Sequence, residues 1–162
     1  EYTQEGTAFL DEGSCILPRD EHLLIHGHNM RNGAVFGELD SYRSLEYLQK
    51  HPVVTFNSLY EDGQYVPFAV LDISAEPGNA NFFDMQIFDF ASDEDFDAFV
   101  SSARERSYFE IPVDVRRGDA LLSLVTCSYF DDNGRFVLMM RAIRPEEEVS
   151  AMAAAVQNAV QK

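Results

Sequence analysis

The chain has 162 residues, of which 46% are hydrophobic and 12% aromatic, and this fits one globular domain and excludes global disorder. Its 28 acidic residues against 12 lysines and arginines give a formal net charge of −16. Because such a charge repels phosphate backbones, we expect no nucleic-acid partner.

The first half of the chain alternates short strands with turns. Strands are predicted at residues 7–11, 22–26, 53–56 and 65–73, with a hairpin turn at 61–63 between the last two. Between them, Leu39, Tyr42, Leu45 and Leu48 recur at helical spacing. They predict a helix that stops before Pro52, because the residue before a proline is pushed out of the helical region.

The second half contains two predicted helices. Ser92 is a candidate N-cap, followed by the acidic residues 93–95 and by an apolar face, which predicts a helix from Asp93 to about Ser107. That face consists of Phe96, Phe99, Val100 and Ala103. Strands are predicted at 111–115, 120–126 and 136–143, and a helix at 145–161. We therefore expect one domain, mostly β, with a barrel or sandwich core over about 6–144 and a helical tail over 145–162.

Three residues could carry chemistry. His28 follows the strand at 22–26, and Cys127 directly follows the strand at 120–126. Arg135 lies at the start of the next strand, eight residues after the cysteine. A cysteine with a distant histidine is the general pattern of thiol nucleophiles. Arginine across the turn could stabilise negative charge that develops on a carbonyl oxygen.

The local sequence around these residues resembles the class B sortases, which are cysteine transpeptidases of Gram-positive cell surfaces. Residues 27–30 (Gly-His-Asn-Met), followed by 35–37 (Val-Phe-Gly) and Leu39, resemble the segment that carries the sortase histidine. Residues 123–127 resemble the Thr-Leu-x-Thr-Cys signature, with Ser123 in place of the usual threonine. Arg135 lies where the family has its essential arginine.

The resemblance implies a sortase-type closed β-barrel with helical insertions and a set of roles. Cys127 would be the nucleophile, His28 the general acid and base, and Arg135 the stabiliser of the oxyanion. The enzyme would cleave a Pro-x-Thr sorting signal after its threonine through a Cys thioester. It would then transfer the protein to an amine of a peptidoglycan precursor or to a lysine of a pilus subunit. No cofactor is implied. We expect the protein at the extracellular face of the cell membrane, with an N-terminal anchor that this sequence does not include.

Residues beside these three are candidates for substrate binding. Thr126, Ser128 and Asn29 flank the cysteine and the histidine in sequence. The predicted helix from Asp93 resembles the long insertion of class B members, which forms one wall of the sorting-signal groove. Arg104 and Tyr108 are therefore also expected to bind substrate. The alternative is that this helix only covers the barrel.

Several other interpretations stay open at this stage. Water instead of an amine could resolve the acyl-enzyme, which would make the chain a cysteine peptidase, or it could be an inactive module that only holds sorting signals. The pair His26 and His28 lacks a carboxylate at metal-ligand spacing, so no metal site is predicted. Residues 131–134 predict a turn instead of a calcium loop. Cys15 is expected to be buried, and Arg141 to face solvent on the barrel exterior.

Overall fold

The computed structural model describes residues 6–29 and 35–162. Its strands are β1 (Phe9–Leu10), β2 (His22–His26), β3 (Val54–Asn57), β4 (Asp62–Ser74), β5 (Phe109–Glu110), β6 (Leu121–Cys127), β7 (Gly134–Ala142) and β8 (Val160–Gln161). A 3₁₀ helix spans Leu39–Arg43, and the α-helices are α1 (Leu45–Lys50), α2 (Asp93–Arg106) and α3 (Val149–Gln157). Met30, the last residue of the motif at 27–30, lies outside the described residues.

Six strands form one sheet in the order β1-β2-β6-β7-β4-β3. β2 runs parallel to β6, and all other neighbours in this sheet are antiparallel. The prediction of a mostly β fold with helical insertions is confirmed. The expected closure is not observed in the described part of the chain, where the edge strands β1 and β3 do not pair and the sheet stays an open, barrel-like layer.

The middle of the sheet forms the core together with α2. Residues 65–74 of β4 are all buried, as are 136–141 of β7. The predicted apolar face of α2 is buried as expected, and its N-cap Ser92 accepts a hydrogen bond from the Asp95 backbone N–H at 3.1 Å. The cap satisfies a free N–H of the first turn, and the acidic residues there complement the helix dipole.

Two predicted elements differ from the structure. The helix predicted at 39–48 is interrupted at Ser44, which has extended dihedral angles and accepts a hydrogen bond from the backbone N–H of Tyr47. Residues 111–115, predicted as a strand, form no strand. The Arg104 guanidinium donates to the carbonyls of Ile111 and Val113, which are therefore satisfied by a side chain instead of by a neighbouring strand.

After Pro145, the helix is shorter than predicted, and the segment ends in a strand. α3 stops at Gln157, and β8 then pairs with β5 in a separate two-stranded sheet.

No helix within residues 6–29 and 35–162 is long and apolar enough to cross a membrane.

Arg141 is fully buried, so the expectation that it faces solvent is wrong. Its guanidinium forms a two-armed pair with Glu147, at 2.6 and 2.8 Å, and also contacts Asp114 at 3.2 Å. The hydrogen bond from Arg141 is the main reason that the pKa of Glu147 is lowered. α3 and the turn before it cover this end of the sheet, where Arg141 is buried. A buried charge needs partners of opposite charge, and Glu147 of the tail is one of the carboxylates that pair with Arg141.

Candidate active site

β6 and β7 bring Cys127 and Arg135 together. They are register partners at the end of the antiparallel pair, and Cys127 is exposed. The turn between the strands is the predicted one, with the Gly134 N–H donating to the Asp131 carbonyl at 2.9 Å. A Cβ atom on Gly134 would lie 2.7 Å from the carbonyl oxygen of Ser128. Only glycine therefore allows the connection to close this tightly.

His28 reaches the same edge of the sheet from β2. His26, the last residue of β2, is the parallel register partner of Val125, so the chain leaves β2 beside the end of β6. A Cβ atom on Gly27 would lie 2.4 Å from a ring carbon of Phe36. The Phe36 ring lies against the backbone just before His28 and leaves no room for a side chain at residue 27. This contact explains why the motif contains both a glycine and a phenylalanine.

Cys127, His28 and Arg135 line one cleft of about 180 Å³. The other lining residues are Phe9, His26, Gly27, Val125 and Thr126. Both His28 and Cys127 are exposed, and Arg135 is half-buried. The three residues that the sequence singled out are thus adjacent in the structure and open to an incoming ligand.

A second cleft, of about 380 Å³, adjoins the first. The two share His26, Val125 and Arg135. Most of the second cleft's wall comes from the segment between β4 and α2, for which the sequence predicted no helix or strand. This segment contributes Ala75, Pro77, Phe82, Phe83, Asp84, Met85 and Gln86. The wall is therefore largely apolar.

His26 lies beside both clefts and is paired with a carboxylate. Its Nε2 is 2.7 Å from Oδ2 of Asp11, and its ring stacks on Phe9 with centroids 5.3 Å apart. Burial raises the pKa of Asp11, but hydrogen bonds from the Gly13 N–H and from His26 outweigh burial and leave it lowered. In the described part of the chain, no group of three or more His, Cys, Asp or Glu side chains could hold a metal.

Thr126 and Asn29 are close to the cysteine. Thr126 lines the Cys127 cleft and is buried, and its hydroxyl has no hydrogen-bond partner among the described residues. The Asn29 side-chain amide donates to Asp40 at 2.6 Å and approaches the Cys127 carbonyl at 3.4 Å. Asn29 therefore connects the backbone after His28 with the backbone at Cys127.

Ser128, Tyr108 and Arg43 converge on the buried carboxylate of Asp72. The Ser128 hydroxyl donates to Asp72 at 2.6 Å, the Tyr108 hydroxyl donates to the same carboxylate, and Arg43 contacts it through both terminal nitrogens. Burial raises the pKa of Asp72, but these hydrogen bonds, that of Arg43 foremost, leave it below its ordinary value. Burial and the hydrogen bond to Asp72 raise the pKa of Tyr108 to about 12. Asp72 and Arg43 lie in no local motif, so the sequence did not single them out.

The two predicted groove residues of the α2 region lie elsewhere. Arg104 lines a separate cleft with Phe68 and Ser101, and its side chain is bound to backbone carbonyls. Tyr108 lines neither of the two clefts beside Cys127. The structure thus brings Thr126, Asn29 and Ser128 to the cysteine but does not bring Arg104 there.

Both cysteines are free and exposed. The expectation that Cys15 is buried is therefore wrong. It lies in the connection between β1 and β2, where its backbone N–H donates to the Asp20 side chain. Cys15 lines neither of the two clefts.

Comparison with known proteins gives the family to which this architecture is similar. The chain is 22% identical over 146 residues to sortase B of Staphylococcus aureus, and 25% identical over 145 residues to sortase B of Listeria monocytogenes. These alignments cover 89% and 88% of this chain. They cover 57% and 56% of the relatives, so the chain spans little more than half of their length. No protein-family model matches the chain.

Solved structures agree with this comparison. Sortase B from Listeria monocytogenes superposes with a TM-score of 0.73 at 26% identity, covering 87% of this chain and 75% of the other. A Staphylococcus aureus sortase B–substrate complex gives a TM-score of 0.76 at 21% identity, covering 90% of this chain and 66% of the other. The chain has the sortase B fold. A sortase B complexed with triglycine is similar to the same degree, with a TM-score of 0.75 and 21% identity. This match covers 90% of this chain and 66% of the other. The resemblance to class B sortases that the motifs indicated is confirmed.

Proposed function

We propose that this chain is a sortase-type cysteine transpeptidase that cleaves a sorting-signal peptide and joins its new carboxyl end to an amine. One observation carries the proposal, namely that Cys127, His28 and Arg135 line a single open cleft. A thiol beside an imidazole and a guanidinium supplies the nucleophile, the proton carrier and the oxyanion partner that acyl transfer needs. The sortase B fold of the chain is consistent with this chemistry.

In the first half of the reaction, the thiolate of Cys127 attacks the carbonyl carbon of the signal's threonine. The carbonyl oxygen becomes negatively charged, and the Arg135 guanidinium donates to it from the opposite strand. His28 then gives a proton to the departing amine as the peptide C–N bond breaks. The products are a thioester on Cys127 and a free peptide with a new amino terminus.

In the second half, the acceptor amine attacks the thioester carbon. His28 takes the proton that the amine loses, the C–S bond breaks, and the electron pair returns to Cys127 as thiolate. The acceptor is an amine of a peptidoglycan precursor or a lysine of a pilus subunit. The similarity to a sortase B complexed with triglycine favours a glycine-type amine for the first test.

The signal peptide would lie in the second cleft and reach Cys127 through the residues that the two clefts share. Pro77, Phe82, Phe83 and Met85 make this cleft apolar, which suits the proline and the neighbouring apolar residues of a Pro-x-Thr signal. Asn29 would contact the peptide close to the scissile bond. Thr126 lines the Cys127 cleft, but its side chain is buried and projects from the other face of the sheet, so it is a weaker candidate for such a contact. Such a function places the protein at the extracellular face of the membrane, where the acceptors are found.

Product analysis by mass spectrometry tests this proposal. The chain is incubated with a panel of Pro-x-Thr peptides, with and without triglycine, and Cys127→Ala serves as the control. We expect cleavage after threonine and a product whose mass includes triglycine, both absent in the control. Release of a free threonine carboxylate alone, even with triglycine, would instead make the chain a peptidase. Peptide binding without cleavage would make it a binding module.

A further inference from the structure

We propose that Asp72, with Arg43, forms a positioning site that holds the backbone at Cys127 and at His28 in the geometry that the reaction needs. The inference rests on the proposed function for its kinetic consequences. It concerns residues that touch neither cleft, since Asp72 and Arg43 line neither of them.

The site lies on the face of the sheet opposite to Cys127. Side chains alternate between the two faces of a strand, and directly paired residues share a face. Cys127 pairs with Arg135, which in turn pairs with Ile73, so these three project from one face. Phe136, the register partner of Asp72, therefore projects from the other face, together with Asp72 itself.

The carboxylate of Asp72 is held in a fixed orientation. Its side chain is only 1% exposed, and Arg43 contacts both of its oxygens. The Arg43 guanidinium carbon also lies 4.2 Å from the centre of the Phe136 ring. A planar guanidinium that binds a carboxylate with two arms and stacks on an aromatic ring has little freedom left, and lysine cannot reproduce this arrangement.

One connection runs from this site to the cysteine. Ser128, the residue after Cys127, donates its hydroxyl to Asp72 at 2.6 Å and accepts from Arg43 at 3.2 Å. The Ser128 backbone N–H donates to the Gly134 carbonyl at 2.9 Å, which extends the β6–β7 ladder past the cysteine. The carboxylate thus fixes the residue that follows the nucleophile.

A second connection runs to the histidine. The Nε of Arg43 contacts Asp40 at 3.4 Å, and Asp40 accepts from the Asn29 amide at 2.6 Å. Asn29 directly follows His28. The ion pair between Arg43 and the buried Asp72 therefore joins the backbone after the nucleophile to the backbone after the general acid and base. Tyr108 completes the site, since its hydroxyl donates to Asp72 as well.

The structure assigns Ser128 and Tyr108 to this site in preference to substrate contact, and the two roles predict different kinetics. A residue that binds substrate raises KM when it is removed, whereas a residue that positions the cysteine lowers kcat and changes the reactivity of the thiol itself. Misplacing reacting groups by about 1 Å can cost on the order of 10² in rate.

The experiment uses the Cys15→Ala background, in which Cys127 is the only thiol. Asp72→Asn, Ser128→Ala and Tyr108→Phe are compared with Glu21→Gln. This control weakens a similar two-armed arginine pair, that of Arg117 with Glu21, which is half-exposed and lines neither cleft. For each variant, alkylation of Cys127 by iodoacetamide is measured from pH 5 to 9, and kcat and KM are measured for peptide cleavage.

We expect Asp72→Asn and Ser128→Ala to lower kcat by about 10- to 100-fold with KM within about twofold, and to shift the alkylation profile along the pH axis. Glu21→Gln should keep the parent values. A rise in KM alone, or an unchanged alkylation profile, would overturn the proposal. If Asp72→Asn does not fold by circular dichroism, Ser128→Ala decides the outcome. Alkylation needs no turnover, so it tests the positioning site even if the chain cleaves no peptide.

Discussion

Cys127 and Arg135 lie directly opposite each other at the last rung of the β6–β7 pair. Cβ atoms of such partners are about 4.5–5.5 Å apart, so the guanidinium reaches a carbonyl group bound at the thiol without rearrangement of the backbone. Within the described chain, Arg135 makes one side-chain hydrogen bond, from a terminal nitrogen to the Gly134 carbonyl at 2.9 Å. Most of its donors are therefore left to meet a developing oxyanion.

Arg135→Lys should fall in kcat by about 10²–10³, because lysine supplies a point charge and loses the planar set of donors. Arg116→Lys is the matched control, since Arg116 pairs with Glu146 at the surface with both side chains 63% exposed. Arg141 would not serve as a control because it is buried among carboxylates. Similar kcat values for the Arg135 and Arg116 variants would remove Arg135 from the reaction.

The two exposed thiols should differ in function. Cys127→Ala should abolish cleavage, because the proposed thioester forms on this sulfur and on no other. Cys15→Ala should retain most of the parent kcat/KM, since Cys15 lines neither cleft. Peptide cleavage by the two folded variants is the measurement, and loss of turnover in Cys15→Ala alone would contradict the assignment.

Gly6 contacts the catalytic histidine candidate from the N-terminal side. Gly6 has a φ of +63°, and a Cβ atom there would lie 2.9 Å from Cδ2 of His28. Gly6→Ala should therefore displace the imidazole and lower kcat by about tenfold or more.

Gly118→Ala is the control for this displacement. Gly118 has a φ of +97°, but a Cβ atom there would meet nothing within 4 Å. Both variants strain the backbone, and only one of them crowds His28. Equal kcat values in the two variants, measured on peptide cleavage, would mean that the Gly6 contact does not position the histidine.

His22 makes stability depend on pH. It is fully buried, its Nδ1 is 2.7 Å from the Ile87 carbonyl, and its Nε2 is 2.8 Å from the Ser123 hydroxyl. A carbonyl can only accept, so Nδ1 carries the proton and Nε2 accepts from Ser123. Burial, with a smaller contribution from Arg19, lowers the pKa of His22 from 6.5 to about 4.

Because the unfolded chain binds a proton at His22 more readily than the folded one, stability falls as the pH drops from about 6.5 towards 4. At about 1.4 kcal/mol per pKa unit, the loss is on the order of 3 kcal/mol. Urea unfolding of the parent and of His22→Gln at pH 7 and pH 5 measures part of this loss, because pH 5 still lies above the pKa of His22 in the folded chain. The parent should lose more stability than the variant between these two pH values, and equal losses would show that His22 does not titrate in this way.

The sequence predicted the three residues of the candidate site better than the residues around them. Cys127, His28 and Arg135 could be found because short local motifs mark strand ends, and the ends of neighbouring strands meet at one edge of the sheet. Asp72 and Arg43 could not be found, since 56 and 85 residues separate them from Ser128 and no local spacing joins them. Arg141 is buried because the tail folds over this end of the sheet. The alternation of side chains along β7 does not predict how the tail folds. Residues 75–86 likewise carry no local pattern that predicts their place in the wall of a cleft.

The most direct test of the account is the intact mass of the protein during turnover. After brief exposure to a Pro-x-Thr peptide without an amine, the chain should gain the mass of the peptide's N-terminal fragment. Proteolytic mapping should place that mass on Cys127, and addition of triglycine should remove it and produce the fragment joined to triglycine. A protein that gains no mass while the peptide is cleaved, or that gains it on Cys15, would contradict a thioester mechanism at Cys127.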